Sequence, residues 1–467
     1  MKQHLVLPTL ALALASSAFA LRPLHAATPA TGADDAGKPA GKPNIIFILA
    51  DDLGYADLGC QGSEEVPTPH IDTIATDGIR FTDGYVTAPQ CVPSRGGLLS
   101  GRYQNRFGLE TNSHDPACGL PLGEKTMGDQ LRAAGYATAL MGKWHLGFED
   151  KAMRPNQRGF DETLWHPVGG VYLPAPKTGI LHNVWQNNQR ARIKEYSVDA
   201  YTDAGLDFIE RHKDQPFFLF MSYDTPHWPM EAKPEHLKQF EHVPDLHRRT
   251  MLAMMASLDE NVGRILDKLK AEGLDEKTLV VFLSDNGGPT GDPRPAPDAP
   301  FQFAQNTSKN NPLRGVKGQV LDGGNRVPFM ARWTGHIPPG RVSNVPVISL
   351  DLLPTFLAAA GSPPLPDSHL DGVNILPLMT GQTKTLDREA LYWRFRFPPE
   401  APALHRWAIR QGDWKLVKDG REPLALYNIV TDIGETKNLA AEQPERVSSM
   451  QAAYKKWDAQ NMDPRWK

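Results

Sequence analysis

The sequence predicts an α/β protein, a sheet covered by helices on both faces, followed by a smaller subdomain of antiparallel strands with one packed helix. Three observations lead there. Short apolar runs rich in β-branched and aromatic residues read as buried strands. Amphipathic stretches of helical period lie between them, and strand and helix in alternation imply a sheet with both faces covered. Toward the C-terminus the pattern changes to strands joined by tight turns.

At 467 residues the chain exceeds what a single hydrophobic core serves, so a large domain with a smaller companion is expected. A formal net charge of -4 gives no whole-chain basic character, which argues against nucleic acid as the partner. Local positive charge around an anionic ligand remains compatible with it.

In chain order, Lys2, the apolar run Leu5 to Ala20 and the small residues at Ala18, Ala20 and Ala26 read as a secretory signal peptide over 1–26. Export is therefore expected, to a bacterial periplasm or the medium. The run is too short and too rich in Ala and Ser to favour a spanning helix, and no later stretch reaches about 18 uninterrupted apolar residues. Stable membrane anchoring is not expected. Residues 27–43, built of Ala, Gly, Pro, Asp and Lys, read as a disordered leader.

The large domain is expected over 44–375. Its strands are Asn44–Ala50, Tyr136–Met141, Phe217–Ser222 and Leu279–Ser284, and its helices Ile71–Gly78, Thr126–Ala134, Ser197–His212 and Leu252–Glu272. Pro93 suits a first helical turn that Ser94 to Leu99 can continue, which puts Cys91 just before a helix N-terminus. Two long irregular segments, near Pro167 to Arg192 and Pro289 to Pro312, are candidates for the walls of a pocket. The subdomain is expected over 376–467, with strands at Trp407–Arg410, Trp414–Val417 and Leu426–Asn428 and a helix from Pro444 to Trp457.

Three of the predicted strands end in reactive groups. Asp51-Asp52 follows the first, Gly142-Lys143-Trp144-His145 the second and Asp285-Asn286 the last, and ligands of such sheets bind beyond the carboxyl ends of strands. The acidic groups offer only hard oxygen ligands, which suit Ca²⁺ or Mg²⁺. Read one at a time, they are also common turn formers. At Cys91-Val92-Pro93-Ser94-Arg95 the helix start and Arg95 would stabilise an anion or an ionising nucleophile. Cys91 alone reads more plainly as a small buried hydrophobe. The three cysteines leave at least one outside any intrachain pair, and with Cys91 modified, Cys60 and Cys118 could pair or both stay reduced.

Together these blocks resemble the type I, formylglycine-dependent sulfatases of the alkaline phosphatase superfamily, in the branch of arylsulfatase and N-acetylgalactosamine-6-sulfatase. The likeness runs from Asn44 to about Leu439 through Ala50-Asp51-Asp52-Leu53-Gly54, Cys91-Val92-Pro93-Ser94-Arg95 with Leu99-Ser100-Gly101-Arg102, Gly142-Lys143-Trp144-His145-Leu146-Gly147, Thr225-Pro226-His227, Ser284-Asp285-Asn286-Gly287 and Leu313-Arg314-Gly315-Val316-Lys317, in the family's order. The resemblance implies a large mixed sheet sandwiched by helices, and hydrolysis of sulfate monoesters. It further implies maturation of Cys91 to formylglycine by a dedicated enzyme, and one Ca²⁺ held by Asp51, Asp52, Asp285, Asn286 and the oxygen of matured Cys91. Arg95 and Lys143 would hold the formylglycine and the metal-side oxygens. His145 would be the base on the aldehyde hydrate, and His227 and Lys317 would grip the sulfate and face the leaving oxygen.

Two positions depart from the pattern. His70 stands where relatives often carry Asn, and Asp322-Gly323-Gly324 replaces a frequent Glu-Gly-Gly. Export, the long loops and the resemblance to that branch together imply a sulfated carbohydrate as substrate, with His114, His166, Tyr172 and His182 as substrate-side candidates on loop location. The competing readings are a formylglycine-dependent phosphonate monoester or phosphodiester hydrolase, and a non-catalytic binder of sulfated glycans.

Overall fold

The run Asn44–Ala50 forms the strand around which the molecule is arranged. Ile46, Ile48 and Ala50 point into one hydrophobic cluster and Ile45, Phe47 and Leu49 into another, as the two-residue period of a strand requires. Phe217–Ser222 and Thr278–Ser284 flank it, both parallel, and Ala137–Lys143 lies beyond the former, also parallel. The computed structural model describes residues 1 and 41–466 apart from 113–116, 171, 176, 177, 180, 290–305 and 397–399. The expected signal peptide, nearly all of the leader, His114 and most of the Pro289 to Pro312 segment fall outside those residues.

Among the described residues the sheet has ten strands and is mixed. Phe329–Arg332 runs antiparallel beside Thr278–Ser284 and continues to Ile79–Phe81 and Arg341–Ser343. On the other side Glu162–His166 is parallel to Ala137–Lys143, and the hairpin Trp185–Gln186 and Gln189–Arg190 extends it. One face is covered by the helices Pro69–Thr76, Ser197–His212 and Leu246–Ala271, the other by Cys91–Ser100, Met127–Ala133 and Leu352–Ala359. Each large apolar side chain buried between these layers contributes roughly 1.5–3 kcal/mol.

The smaller subdomain is a four-stranded antiparallel sheet, Leu391–Phe395, Arg406–Gln411, Trp414–Asp419 and Ala425–Asn428. The helix Pro444–Asp458 packs on it through Met450, Tyr454 and Trp457, with Trp457 stacked on Tyr392 at 4.9 Å and Tyr454 on Trp407 at 4.4 Å. The first of these strands escapes a reading that begins at Trp407, although Leu391, Trp393 and Phe395 alternate toward the core.

Several boundaries differ from expectation for local reasons. Cys91 is the first residue of its helix rather than the residue before it, and Gln90 is the N-cap. Pro93 is then the third residue, where its missing N–H is one of the donors a helix start leaves without an intrahelical partner. Lys143 lies within its strand because Gly142 and Lys143 still pair with Trp165 and His166. The long helix begins at Leu246, where Asp245 caps the His247 amide at 3.0 Å. Cys60 and Cys118 form no disulfide, and they pack in different core clusters.

Gly142 adopts φ 113°, and a Cβ there would meet the Ser222 carbonyl oxygen at 2.0 Å. Gly142→Ala is therefore expected to destabilise the fold by more than about 1 kcal/mol. Thermal unfolding should show it, and an unchanged melting temperature would contradict the close approach.

Candidate active site

The carboxyl ends of the central parallel strands carry the acidic groups. Asp51 and Asp52 follow Asn44–Ala50, and Asp285 and Asn286 follow Thr278–Ser284. Backbone bonds register these ends: the Asp51 amide donates to the Thr225 carbonyl and the Asp285 amide to the Ala50 carbonyl, both at 3.0 Å. Asp52 takes a left-handed backbone, φ 66°, which lets its amide donate to Asp285 Oδ1 at 3.2 Å. Asn286 Nδ2 donates to Asp52 Oδ1 at 2.7 Å.

Cations close around this acidic group. Arg95 Nε donates to Asp285 Oδ2 at 2.8 Å, and its Nη2 lies 3.6 Å from Asp51 Oδ2. Lys143 Nζ bonds to Asp51, and Lys317 Nζ lies 2.7 Å from the Asp52 carboxylate. Arg95 and Lys143 are buried, whereas Lys317 keeps 17% of its side chain exposed and so stands on the open side of the cluster. Cys91 Sγ is 3.6 Å from Asp51 Oδ1, and His227 Nε2 is 3.7 Å from Asp52 Oδ2. The His227 ring is oriented from behind, because Nδ1 lies 2.6 Å from the Trp228 carbonyl and therefore carries the proton. His145, at φ 60°, is anchored through its amide to the Pro167 carbonyl at 3.0 Å, and its Nδ1 is buried with no hydrogen-bond partner among the described residues.

Burial and neighbouring charge set the ionisation. Burial raises Asp51, but Lys143, His227, Arg95 and Lys317 outweigh it and hold the carboxyl well below its usual range. Burial and the adjacent Asp51 push Asp285 up to about 7. Burial pushes the Cys91 thiol up to about 12 despite Lys143 and Lys317, so an unmodified cysteine here is a neutral thiol at neutral pH. His145 is held well below the ordinary histidine range by burial and then by Lys143 and Arg95, and His227 falls to about 4 by burial and Lys143.

The cluster fits a metal site, and its carboxylate and amide oxygens are the donors that suit a hard cation. Ligand atoms of Asp51, Asp52, Cys91 and His227 lie within 4.8 Å of one another, and Asn286 Oδ1 is buried without a hydrogen-bond partner among the described residues while its Nδ2 is engaged. A buried acceptor with nothing to accept from is suited to a metal ligand's place. His227 thus stands closer to the acidic group than the sequence suggested.

The substrate-side candidates fare differently. His166 ends a strand instead of lying on a loop; it is fully buried, 2.9 Å from the Tyr201 hydroxyl and 3.5 Å from Asp224. Tyr172 is buried and donates to the Asp224 and His227 carbonyls, so it braces the His227 loop. His182 is exposed, and His114 is outside the described residues. The sequence reading missed Ser222, whose Oγ accepts from Arg95 at 2.8 Å and donates to the Lys143 carbonyl at 2.6 Å. A polar residue ending the third strand was the available signal. It also missed Asn112, which accepts from the Val92 amide at 2.9 Å, and Ser308, which donates to the Asp52 carbonyl at 2.9 Å.

The family described as Sulfatase matches residues 43–362, and the one described as N-sulphoglucosamine sulphohydrolase, C-terminal, matches residues 317–460. The chain belongs to the sulfatase family. It is a type I sulfatase of the alkaline phosphatase superfamily. Human (Homo sapiens) arylsulfatase A is 32% identical to this sulfatase over 86% of the chain and 84% of its own length, and human N-acetylgalactosamine-6-sulfatase 32% over 78% and 70%. The crystal structure of Ps i-CgsB superposes with a TM-score of 0.81 at 34% identity, covering 91% of this sulfatase and 94% of that chain, and the same protein has been solved in complex with k-i-k-neocarrahexaose.

Asp52→Asn and Asp285→Asn are each expected to lower bound metal and activity together, by at least roughly tenfold in metal affinity. Metal analysis of the purified variants checks this, and full stoichiometry in both would make the acidic pairs structural turns.

Proposed function

We propose that this sulfatase cleaves sulfate monoesters of carbohydrates with Cys91, matured to formylglycine, as nucleophile and one Ca²⁺ as electrostatic partner. The observation that carries the reading is the setting of Cys91: the first residue of a buried helix, against the Asp51 carboxylate, within a group that also holds Arg95, Lys143 and Lys317. A carbohydrate substrate is supported by the neighbour solved with k-i-k-neocarrahexaose.

Ca²⁺ would be held by Asp51, Asp52, Asp285, Asn286 and the residue-91 oxygen, and when bound it neutralises charge on the sulfate oxygens. Formylglycine, as its hydrate, supplies two hydroxyls on one carbon. Arg95 and Lys143 hold the residue-91 side chain and the acidic group in register. Lys317, the least buried cation of the set, grips the sulfate. Burial and the neighbouring cations keep His145 neutral, the form that accepts a proton from the residue-91 hydroxyl. His227 turns Nε2 toward the site, and an anionic ester placed against it favours the protonated ring, which then donates to the leaving oxygen.

Because Cys91 is fully buried, the maturing enzyme would reach it before the chain closes. The same reading includes export of the mature chain and a division into a catalytic domain over 44–375 and a subdomain over 376–467.

Peptide mass spectrometry of active protein should show an aldehyde at residue 91, and fully active enzyme carrying only the thiol would sink the mechanism. Cys91→Ala should abolish turnover with the fold intact.

The two histidines separate by kinetics. His227→Ala should slow esters of alkyl-like alcohols by about 10²–10⁴-fold and activated aryl sulfates far less, since a phenolate leaves with little protonation. His145→Ala should release one equivalent of alcohol in a burst and then turn over slowly. Equal losses across leaving groups in the first variant, or no burst in the second, would reverse these assignments.

A further inference from the structure

The loop that carries Lys317 is fastened to the C-terminal sheet and to the loop that follows it by contacts the chemistry above does not use. The Asp322 amide donates to Glu435 Oε2 at 2.7 Å, and Lys415 Nζ donates to Asp322 Oδ1 at 2.6 Å while lying 3.0 Å from Glu435 Oε1. Before Lys317, Arg314 donates to the Glu435 carbonyl at 3.0 Å; after it, Gln319 donates to Asp419 at 3.0 Å. The Gly323 amide closes the loop on the Arg314 carbonyl at 2.7 Å, and the Lys317 amide donates to the Gly288 carbonyl at 3.2 Å. Lys415, Asp322 and Glu435 are all fully buried.

A buried ion triad of this kind adds little stability over well-packed apolar side chains, because desolvation offsets the Coulomb gain. What it does supply is fixed geometry, and here the fixed object is the turn between residues 314 and 324. Lys317 is a flexible four-carbon cation with part of its side chain in solvent, so its aim depends on where its backbone is held. We propose that Lys415 and Glu435 are positioning residues for Lys317, through Asp322 and Arg314, so that the C-terminal sheet sets the alignment of the cation that grips the sulfate. This rests on the role given to Lys317 above.

Lys415→Met alone would leave the buried Glu435 carboxylate without its cation, while Asp322 keeps Arg326 at 3.3 Å and the Tyr85 hydroxyl at 3.0 Å, and so endangers folding; the charge-balanced variant Lys415→Met with Glu435→Gln and the single variant Glu435→Gln are the probes. Both are made in matured enzyme, with and without Lys317→Ala, and assayed on an activated aryl sulfate after thermal melts establish folding. The expected result is a kcat loss of roughly tenfold to a hundredfold with little change in KM, the range that misplacing a reacting group by about 1 Å costs. In the Lys317→Ala background the same changes should cost almost nothing, since the group they aim is gone. A loss that persists undiminished there, or full activity of both probes, overturns the proposal while leaving Lys317 in its role. Full activity of Lys317→Ala itself overturns that role and the proposal with it.

Discussion

The buried pairing of three carboxylates with three cations is the constraint on which the rest of the site depends. Asp51, Asp52 and Asp285 lie at 0–1% exposure, where an unpaired ion costs several kcal/mol. Arg95, Lys143 and Lys317 answer them, and at 4 Å each such pair is worth about 4 kcal/mol in an environment of effective dielectric 20. With all three carboxylates ionised the formal charges cancel. A divalent cation added to a balanced set leaves the pocket net positive, and the ligand that restores balance is an anion.

That pairing needs backbones the chain would not choose alone. Asp52 and His145 both sit at left-handed φ, 66° and 60°, a conformation that costs a residue with a Cβ on the order of 1–3 kcal/mol unless its surroundings impose it. At Asp52 the surroundings are the Asp285 carboxylate on its amide and the Ser308 hydroxyl on its carbonyl. At His145 they are the Pro167 carbonyl and a preceding strand that Gly142 allows to press against Ser222. Both deviations turn a side chain from the line of its strand toward the common pocket.

The strands Asn44–Ala50 and Phe217–Ser222 and the helix Ser197–His212 were legible to the residue, because their apolar pattern is decided locally by burial on known faces. The acidic pairs were legible as a group because strand ends in such sheets converge, and the Cys91 block through its place at a helix start and its resemblance to the family. Less legible were the antiparallel strand Phe329–Arg332, whose four residues are too few to show a period, and the hydroxyls of Ser222 and Ser308, whose roles exist only once distant segments meet. His166 and Tyr172 misled for the converse reason. Their polar atoms find partners in Tyr201, Asp224 and His227, which no local pattern announces.

The helix Cys91–Ser100 shows how far the placement of residue 91 belongs to the whole fold. It contains Pro93, Gly96 and Gly97, and residues of that kind would not hold ten positions helical in isolation. Every one of its residues is buried, so the helix survives through what it touches. The two glycines admit Leu109 and Thr87, side chains that a Cβ would strike at 2.6 Å and 2.5 Å. Two of its polar side chains are spent on the site itself: Ser94 donates to the Asp285 carbonyl, and Arg95 to the Asp285 carboxylate and Ser222. Asp285, a member of the acidic group, is therefore also the anchor of the helix that presents residue 91, so residue 91 and the acidic group cannot drift apart without breaking the same bonds.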